Sequence, residues 1–319
     1  MYNQIIIVLI VIIIIIILYR LNYSIKKESF KTTNEQQIAF LFLTYNNLKR
    51  QDIWNKFLDI KSRNNEDAKD SEEDNDKIIN QSKYANKFSI YNHAKEPEKI
   101  TDILLKGKHI PEHIETCWGC FGSVEANILM MKEALKDPLN KKFILVSESC
   151  APIVSFDKFY NEIMKNDKSR INFWKENVST DRYDSIIDPE FPKSEFKKNS
   201  GQGLIFNRTY AELLVNSLNK YKKKWKDMTC VDEHYFGNLL IILDPKFNDN
   251  TELKNVTFDM WQSDKLNFTN ITNDDIKPDH YVNLKKISNK GIDRIREYDF
   301  MFTRKIDKET DIDIEYILS

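Results

Sequence analysis

Apolar residues in this chain fall in short unbroken runs, separated by stretches whose apolar positions recur with helical spacing. The run "IAFLFLTYNN", closed by Asn46 and Asn47, predicts a buried strand. The following "LKRQDIWNKFLDI" places Leu48, Ile53, Trp54, Phe57 and Leu58 on one helical stripe. "KFSIYNHA" predicts a second strand, and "FGSVEANILMMKEALKDP" a helix capped by Ser123 and stopped near Pro138. "KKFILVSES" predicts a third strand, and "SFDKFYNEIMKN" a helix with Ser155 at its N-cap and Phe156, Phe159, Tyr160, Ile163 and Met164 inward. Residues 170–200 show no clear period. "SGQGLIFNRTYAELLVNSLNKY" then resumes with a short strand and a helix, "CVDEHYFGNLLIIL" opens another helix or helical turn, and "YDFMFTRKI" is a terminal short strand. From about Pro245 the intervening chain reads as polar and irregular. Strands alternating with helices imply an α/β domain with a mixed, mostly parallel sheet and ligands at the carboxyl ends of its strands.

Two segments stand apart from this rhythm. Residues 5–18, "IIIVLIVIIIIIIL", are unbroken apolar, and residues 2–21 are long enough for one membrane span with Arg20 snorkelling. No basic segment precedes the run and no small-residue cleavage site follows it, so an uncleaved signal-anchor is expected rather than a removed signal peptide. The expected order is a transmembrane anchor at 1–21, a polar stem at 22–37, one domain at 38–306 and a C-terminal tail at 307–319. Within the domain, residues 61–84 are charged and nearly free of aromatics, and are expected to form a solvated loop.

Charge and composition narrow the functional classes. Lys and Arg number 48 against 49 Asp and Glu, a formal net charge of −1, so no basic field points to nucleic acid. Only 7 glycines are present, and no GxGxxG or GxxxxGKS string occurs, which removes the usual dinucleotide and P-loop cradles. The sides of the membrane remain open. Arg20, Lys26, Lys27 and Lys31 follow the span and favour a cytoplasmic body, whereas Asn-x-Ser/Thr sequons, such as those at Asn80 and Asn207, suit a lumenal glycoprotein. Four cysteines are too few to define a disulfide scaffold.

Candidate chemistry is sparse. His109, His113, Cys117 and Cys120 lie within twelve residues, but their spacing matches no common zinc pattern and Pro111 interrupts the segment. The DND and DID pairs fall in the charged insert and the tail rather than after a core strand, so no metal site is expected. No GxSxG elbow appears. "DEHY" remains: Asp232 is a good helix cap, and Glu233 suits a first helical turn.

In order, "IAFLFLTYNNLKRQDIWNKFL", "FSIYNHA", "CWGCFGSVEANILMMKEALKDPLNKKFILVSESCAPIVSFDKFYNEI", "SGQGLIFNRTYAELLV", "CVDEHYFGNLL" and "FMFTRK" resemble the core-2/I-branching β-1,6-N-acetylglucosaminyltransferase family, which includes peptide O-xylosyltransferases. The resemblance covers about residues 37–306. It implies a GT-A-like nucleotide-sugar-binding domain behind an N-terminal transmembrane helix, with a lumenal body of the Golgi or ER type. It also implies inverting transfer of a sugar from a UDP donor to a glycan or glycoprotein hydroxyl, with no cofactor and no divalent metal. By the same resemblance Glu233 is the general base and Arg304 and Lys305 clamp the diphosphate. Thr44, Tyr45, His93, Ser147 and Glu148 are donor-pocket candidates, and Gly201 and Gly203 are acceptor-cleft candidates. Lys285, Lys286 and Arg294 are alternatives for a second diphosphate cation. The donor is UDP-GlcNAc by preference, with UDP-xylose and UDP-glucuronate as alternatives. A catalytically inactive glycan- or nucleotide-sugar-binding relative is the alternative function.

Overall fold

The computed structural model describes residues 35–61, 72–173, 182–183, 190–191, 193–259, 276–280 and 283–319. The expected anchor at 2–21 lies outside the described residues, and among those described no helix is long and apolar enough to cross a membrane. Residues 36–319 form one compact unit.

The chain begins with β1 (Gln37–Thr44), α1 (Gln51–Phe57), α2 (Glu72–Asn80) and β2 (Phe88–Ala94). α3 (Phe121–Ala134), β3 (Asn140–Ser147), β4 (Ala151–Pro152), α4 (Phe156–Met164) and β5 (Ser169–Arg170) follow. Then come β6 (Ile205–Asn207), α5 (Arg208–Trp225), α6 (Tyr235–Leu243), α7 (Phe247–Asn250), β7 (Thr251–Glu252) and β8 (Thr257–Phe258). The chain closes with β9 (Ile276–His280), β10 (Asn283–Ile287), α8 (Asn289–Glu297), β11 (Phe302–Thr303) and α9 (Ile314–Ile317).

Six strands form the main sheet in the order β2-β1-β3-β6-β5-β7. β2, β1 and β3 run parallel, β6 is antiparallel to both β3 and β5, and β7 is parallel to β5, which gives the mixed sheet expected. β1 and β3 are apolar on both faces because both faces are covered. Ala39, Leu41, Phe143 and Leu145 join one core with α3, α5 and α6. Ile38, Phe40, Phe42, Ile144 and Val146 join the other with Trp54, Phe57, Phe156 and Phe159.

That second core is an aromatic lock. The Trp54 ring lies 5.0 Å from Phe42 and 5.8 Å from Phe302, and its indole N–H donates to Cys150 C=O at 2.9 Å. It thereby ties α1 to the loop after β3 and to β11, the strand that leads into Arg304. β11 sits between β4 and β8 in a small separate sheet.

Several expectations need correction. The span 61–84 is not only a solvated loop: α2 occupies part of it, and Ile79 and Tyr84 are buried in the aromatic core. On the helix itself Ile79, with Ile78 partly buried beside it, faces this core, and Tyr84 follows in the next turn, so a few apolar residues dock a segment that charge content alone marks as solvated. α3 starts at Phe121 with Cys120 at its N-cap, not Ser123, whose hydroxyl donates to Cys117 C=O at 2.9 Å. Ser155 occupies the N-cap position of α4 but makes no side-chain cap bond. Among the described residues beyond Pro245, α8 buries Ile292 and Ile295, and the tail packs back through Ile317 and the Arg50–Thr310 C=O bond at 2.9 Å.

Candidate active site

The Glu233 turn is built by backbone geometry. Cys230 adopts a left-handed conformation (φ 52°), which turns the chain into a single 3-10 turn, Val231–Glu233. Glu233 N–H closes on Cys230 C=O at 3.1 Å and His234 N–H on Val231 C=O at 3.0 Å. α6 then starts afresh at Tyr235 with His234 at its N-cap, and no side chain caps it. Asp232 is therefore not the helix cap expected. His234 leaves the helical region (φ −136°, ψ −36°), so the free N–H groups of α6 begin beyond the reach assumed for Asp232. The Asp232 carboxylate packs instead on Gly201, where a Cβ would stand 2.6 Å from Oδ2. Burial and the neighbouring Glu233 push the Asp232 carboxyl up, and Arg304 partly offsets them.

The Glu233 side chain is 33% exposed, and its Oε2 lies 3.2 Å from Arg182 and 3.3 Å from Lys198. His234 beside it is fully buried, with Nδ1–H donating to Cys230 C=O at 3.0 Å and the ring stacked 5.5 Å from Phe196. Burial lowers its pKa to about 4, so the ring is a neutral packing element at ordinary pH.

The carboxyl ends of β1 and β3 meet nearby. Glu148 accepts the Tyr45 backbone N–H and pairs with Lys49 at 3.5 Å, while Thr44 is buried and takes an N–H from Asn92 at 3.0 Å. Tyr45 is exposed at this edge, with Lys95 5.6 Å from its ring centroid. Ser147 Oγ lies 3.1 Å from Cys150 Sγ. The Gly203 N–H donates to Leu145 C=O at 3.0 Å, joining this edge to the segment that holds Gly201.

Gly203 itself is buried at φ 76°, and a Cβ there would stand 2.2 Å from Thr257 Oγ1, so the fold requires a glycine at this position. His93 is held inside the fold. It is fully buried, accepts the Ile114 N–H at 3.2 Å, and stacks 5.0 Å from His113 with His109 beside it. Burial, then the two neighbouring rings, lower its pKa to about 4, and its ring packs against the His109 and His113 rings.

Arg304 and Lys305 follow β11, where Arg304 N–H donates to Phe258 C=O at 2.8 Å. Both are partly buried, and among the described residues Arg304 Nε has no hydrogen-bond partner. Burial and Arg304 lower the Lys305 ammonium, while Asp259 acts the other way. Of the other proposed cations, Lys286 pairs with Asp311 at 3.3 Å, and Arg294 is engaged by Glu297 and the Tyr298 hydroxyl.

Cys117 and Cys120 are oxidised to a disulfide, which consumes both thiolates of the imagined zinc quartet. The bridge closes a loop that presents Trp118, 84% exposed, and Gly119 at φ 67°. Gly119 C=O accepts the Val231 N–H at 3.3 Å, so the tryptophan is anchored to the Glu233 turn.

The structure thus packs Asp232, next to Glu233, on Gly201, with the Arg304 charge acting on Asp232, and sets Thr44, Tyr45, Ser147 and Glu148 at the carboxyl ends of β1 and β3. Arg182, Lys198 and Trp118 were not singled out from the sequence. Lys198 had a usable signal, standing three residues before Gly201; Arg182 lies in the stretch without periodicity. A separate surface cavity of about 620 Å³ lined by Val154, Lys158, Lys254 and Arg296 contains none of these residues.

The architecture is a mixed α/β domain with a mostly parallel sheet, consistent with a GT-A-like domain. The family model for core-2/I-branching enzymes matches residues 71–296. The chain belongs to this family. It is similar to Glycosyltransferase BC10 of Oryza sativa subsp. japonica, at 25% identity over 234 residues, covering 64% of this chain and 53% of the rice protein. The chain spans about half the length of that curated relative. The family match includes Glu233 and ends before Arg304.

Proposed function

We propose that this protein is an inverting glycosyltransferase that moves a sugar, GlcNAc by preference, from a UDP donor to an acceptor hydroxyl of a glycan or glycoprotein, without a divalent metal. The observation that carries the reading is the partly exposed Glu233 carboxylate on a fixed turn, its Oε2 met by Arg182 and Lys198. In this mechanism the acceptor oxygen attacks C1 of the donor sugar while the bond from C1 to the diphosphate oxygen breaks on the opposite face. Glu233 takes the hydroxyl proton as the new bond forms. The departing UDP keeps the bonding electron pair, and Arg304 and Lys305 neutralise its growing charge. Thr44, Tyr45, Ser147 and Glu148 line the uridine side, and Trp118 offers a flat apolar face to a sugar ring. Residues 2–21 anchor the body to a membrane, with the body lumenal.

A panel of UDP-sugars offered to the purified full-length chain, with and without EDTA, tests this. Transfer or hydrolysis of one donor that persists in EDTA is expected; failure to bind any UDP-sugar sinks the reading. A second reading, a sugar-binding relative without turnover, draws on the two cations that already occupy Glu233 Oε2. Robust turnover removes it.

A further inference from the structure

The carbonyls of Asp232, Glu233 and His234 are each held by one short clamp. Asn199 is fully buried; its backbone N–H donates to Glu233 C=O at 2.7 Å and its side-chain amide to Asp232 C=O at 3.2 Å and Ser200 C=O at 2.7 Å. Its Oδ1 accepts the Gly237 N–H at 3.4 Å. Asn238, also buried, donates to His234 C=O at 2.7 Å and exchanges two bonds with the backbone of Lys197, at 2.8 Å and 2.7 Å. Lys198 therefore lies between two residues pinned from the other side, with its ammonium 3.3 Å from Glu233 Oε2. Gly237 permits the fit: a Cβ there would meet Phe173 at 2.4 Å and Asn199 Oδ1 at 3.2 Å.

A fold can close a loop on a helix with apolar contacts alone. Here buried amide groups are spent on three consecutive carbonyls of the turn that carries the acid, and each amide unsatisfied in that interior carries a desolvation penalty. We propose that Asn199 and Asn238 are positioning residues that fix the Glu233 carboxylate and its Lys198 partner in register for proton transfer. This rests on the reading of Glu233 as the base. Neither asparagine touches substrate; both act through the turn, where a misplacement of about 1 Å is able to reduce turnover about 100-fold.

Asn199→Asp and Asn238→Ala in the full-length chain provide the test, with Glu233→Gln as reference. Asn199→Asp keeps the acceptor for Gly237 N–H, removes the donors to Asp232 and Ser200, and adds a negative charge beside the turn. Both variants are expected to lower kcat about 10- to 100-fold with the KM for the UDP-sugar unchanged. Only Asn199→Asp is expected to move the acidic limb of the rate profile to higher pH, because a like charge disfavours an ionised carboxylate. Carboxyl carbon NMR, with the Glu233 signal assigned by its loss in Glu233→Gln, reads the same shift without turnover. If both variants melt at lower temperature but keep wild-type kcat, and the Glu233 signal titrates as in wild type, the clamp serves only stability and the proposal is overturned. Retained transfer by Glu233→Gln instead overturns the reading of the base, so the two failures are distinguishable.

Discussion

The turn bearing Glu233 and the strand end bearing Arg304 carry opposite charges and are prepared in opposite ways. The acid is compensated in advance: two cations contact one of its oxygens, and its backbone carbonyl is held at 2.7 Å. The basic pair is placed by the Arg304 N–H donating to Phe258 C=O and the Lys305 C=O accepting the Leu284 N–H, but keeps, among the described residues, a buried Arg304 Nε without a partner. A buried, unmatched guanidinium N–H is unfavourable until an acceptor arrives. The comparison sets an acid whose partners are already in place against a basic side that keeps an unmatched N–H donor, the contrast on which the proposed anion-binding role of Arg304 rests.

The largest expected effect breaks the acid side. Glu233→Gln keeps the shape and the turn but removes the proton acceptor, and is expected to reduce transfer by about 100-fold or more while UDP still binds, read by calorimetry and a product assay. The basic side should fail differently. Arg304→Ala is expected to weaken UDP binding and lower kcat/KM about 10- to 100-fold, with Arg304→Lys recovering only part because a point charge replaces a fork. Equal UDP affinity in Arg304→Ala would break the contrast. Trp118→Ala removes an exposed ring with no buried contacts to lose, and is expected to raise the KM for a sugar substrate several-fold without lowering the melting temperature.

The smallest expected effect lies away from both regions, in the buried histidines. His93 is held at about 4 in the folded protein, against 6.5 when exposed, first by burial. The unfolded chain thus takes the proton first, so stability present above pH about 6.5 is lost as pH falls toward 4, by roughly 3 kcal/mol at most. Asp102, raised to about 6 by burial, works in the opposite sense over part of this window. The difference between wild type and His93→Gln isolates the histidine: melting temperatures should fall less steeply for the variant between pH 6.5 and 4. Parallel curves would show that His93 is protonated equally in both states.

How far the site was legible in the sequence depends on the range of the forces involved. The strands "AFLFL" and "FILVS" and the helix after "GLIFN" were readable because a strand buried on both faces must be apolar throughout and a packed helix must be apolar on one stripe. The order of the motifs carried the family. Caps were less legible: Asp232 and Ser123 have good cap chemistry, but Cys230 in a left-handed conformation and Cys120 at the N-cap set the turns, and residue type alone does not reveal those dihedrals. The Cys117–Cys120 bridge and the burial of His93 were also hidden, since each depends on what the rest of the chain places alongside.

The sequence by itself determined the alternation of strands and helices, the family, and Glu233 as the acid to consider, because these follow from local periodicity and ordered motifs. Only the tertiary structure decided that Asp232 packs on Gly201 rather than capping, that Arg182 and Lys198 meet Glu233, and that Asn199 holds its carbonyl. Those contacts join residues more than thirty positions apart, and the energy of a buried polar group is set by its neighbours in space rather than by its neighbours in the chain.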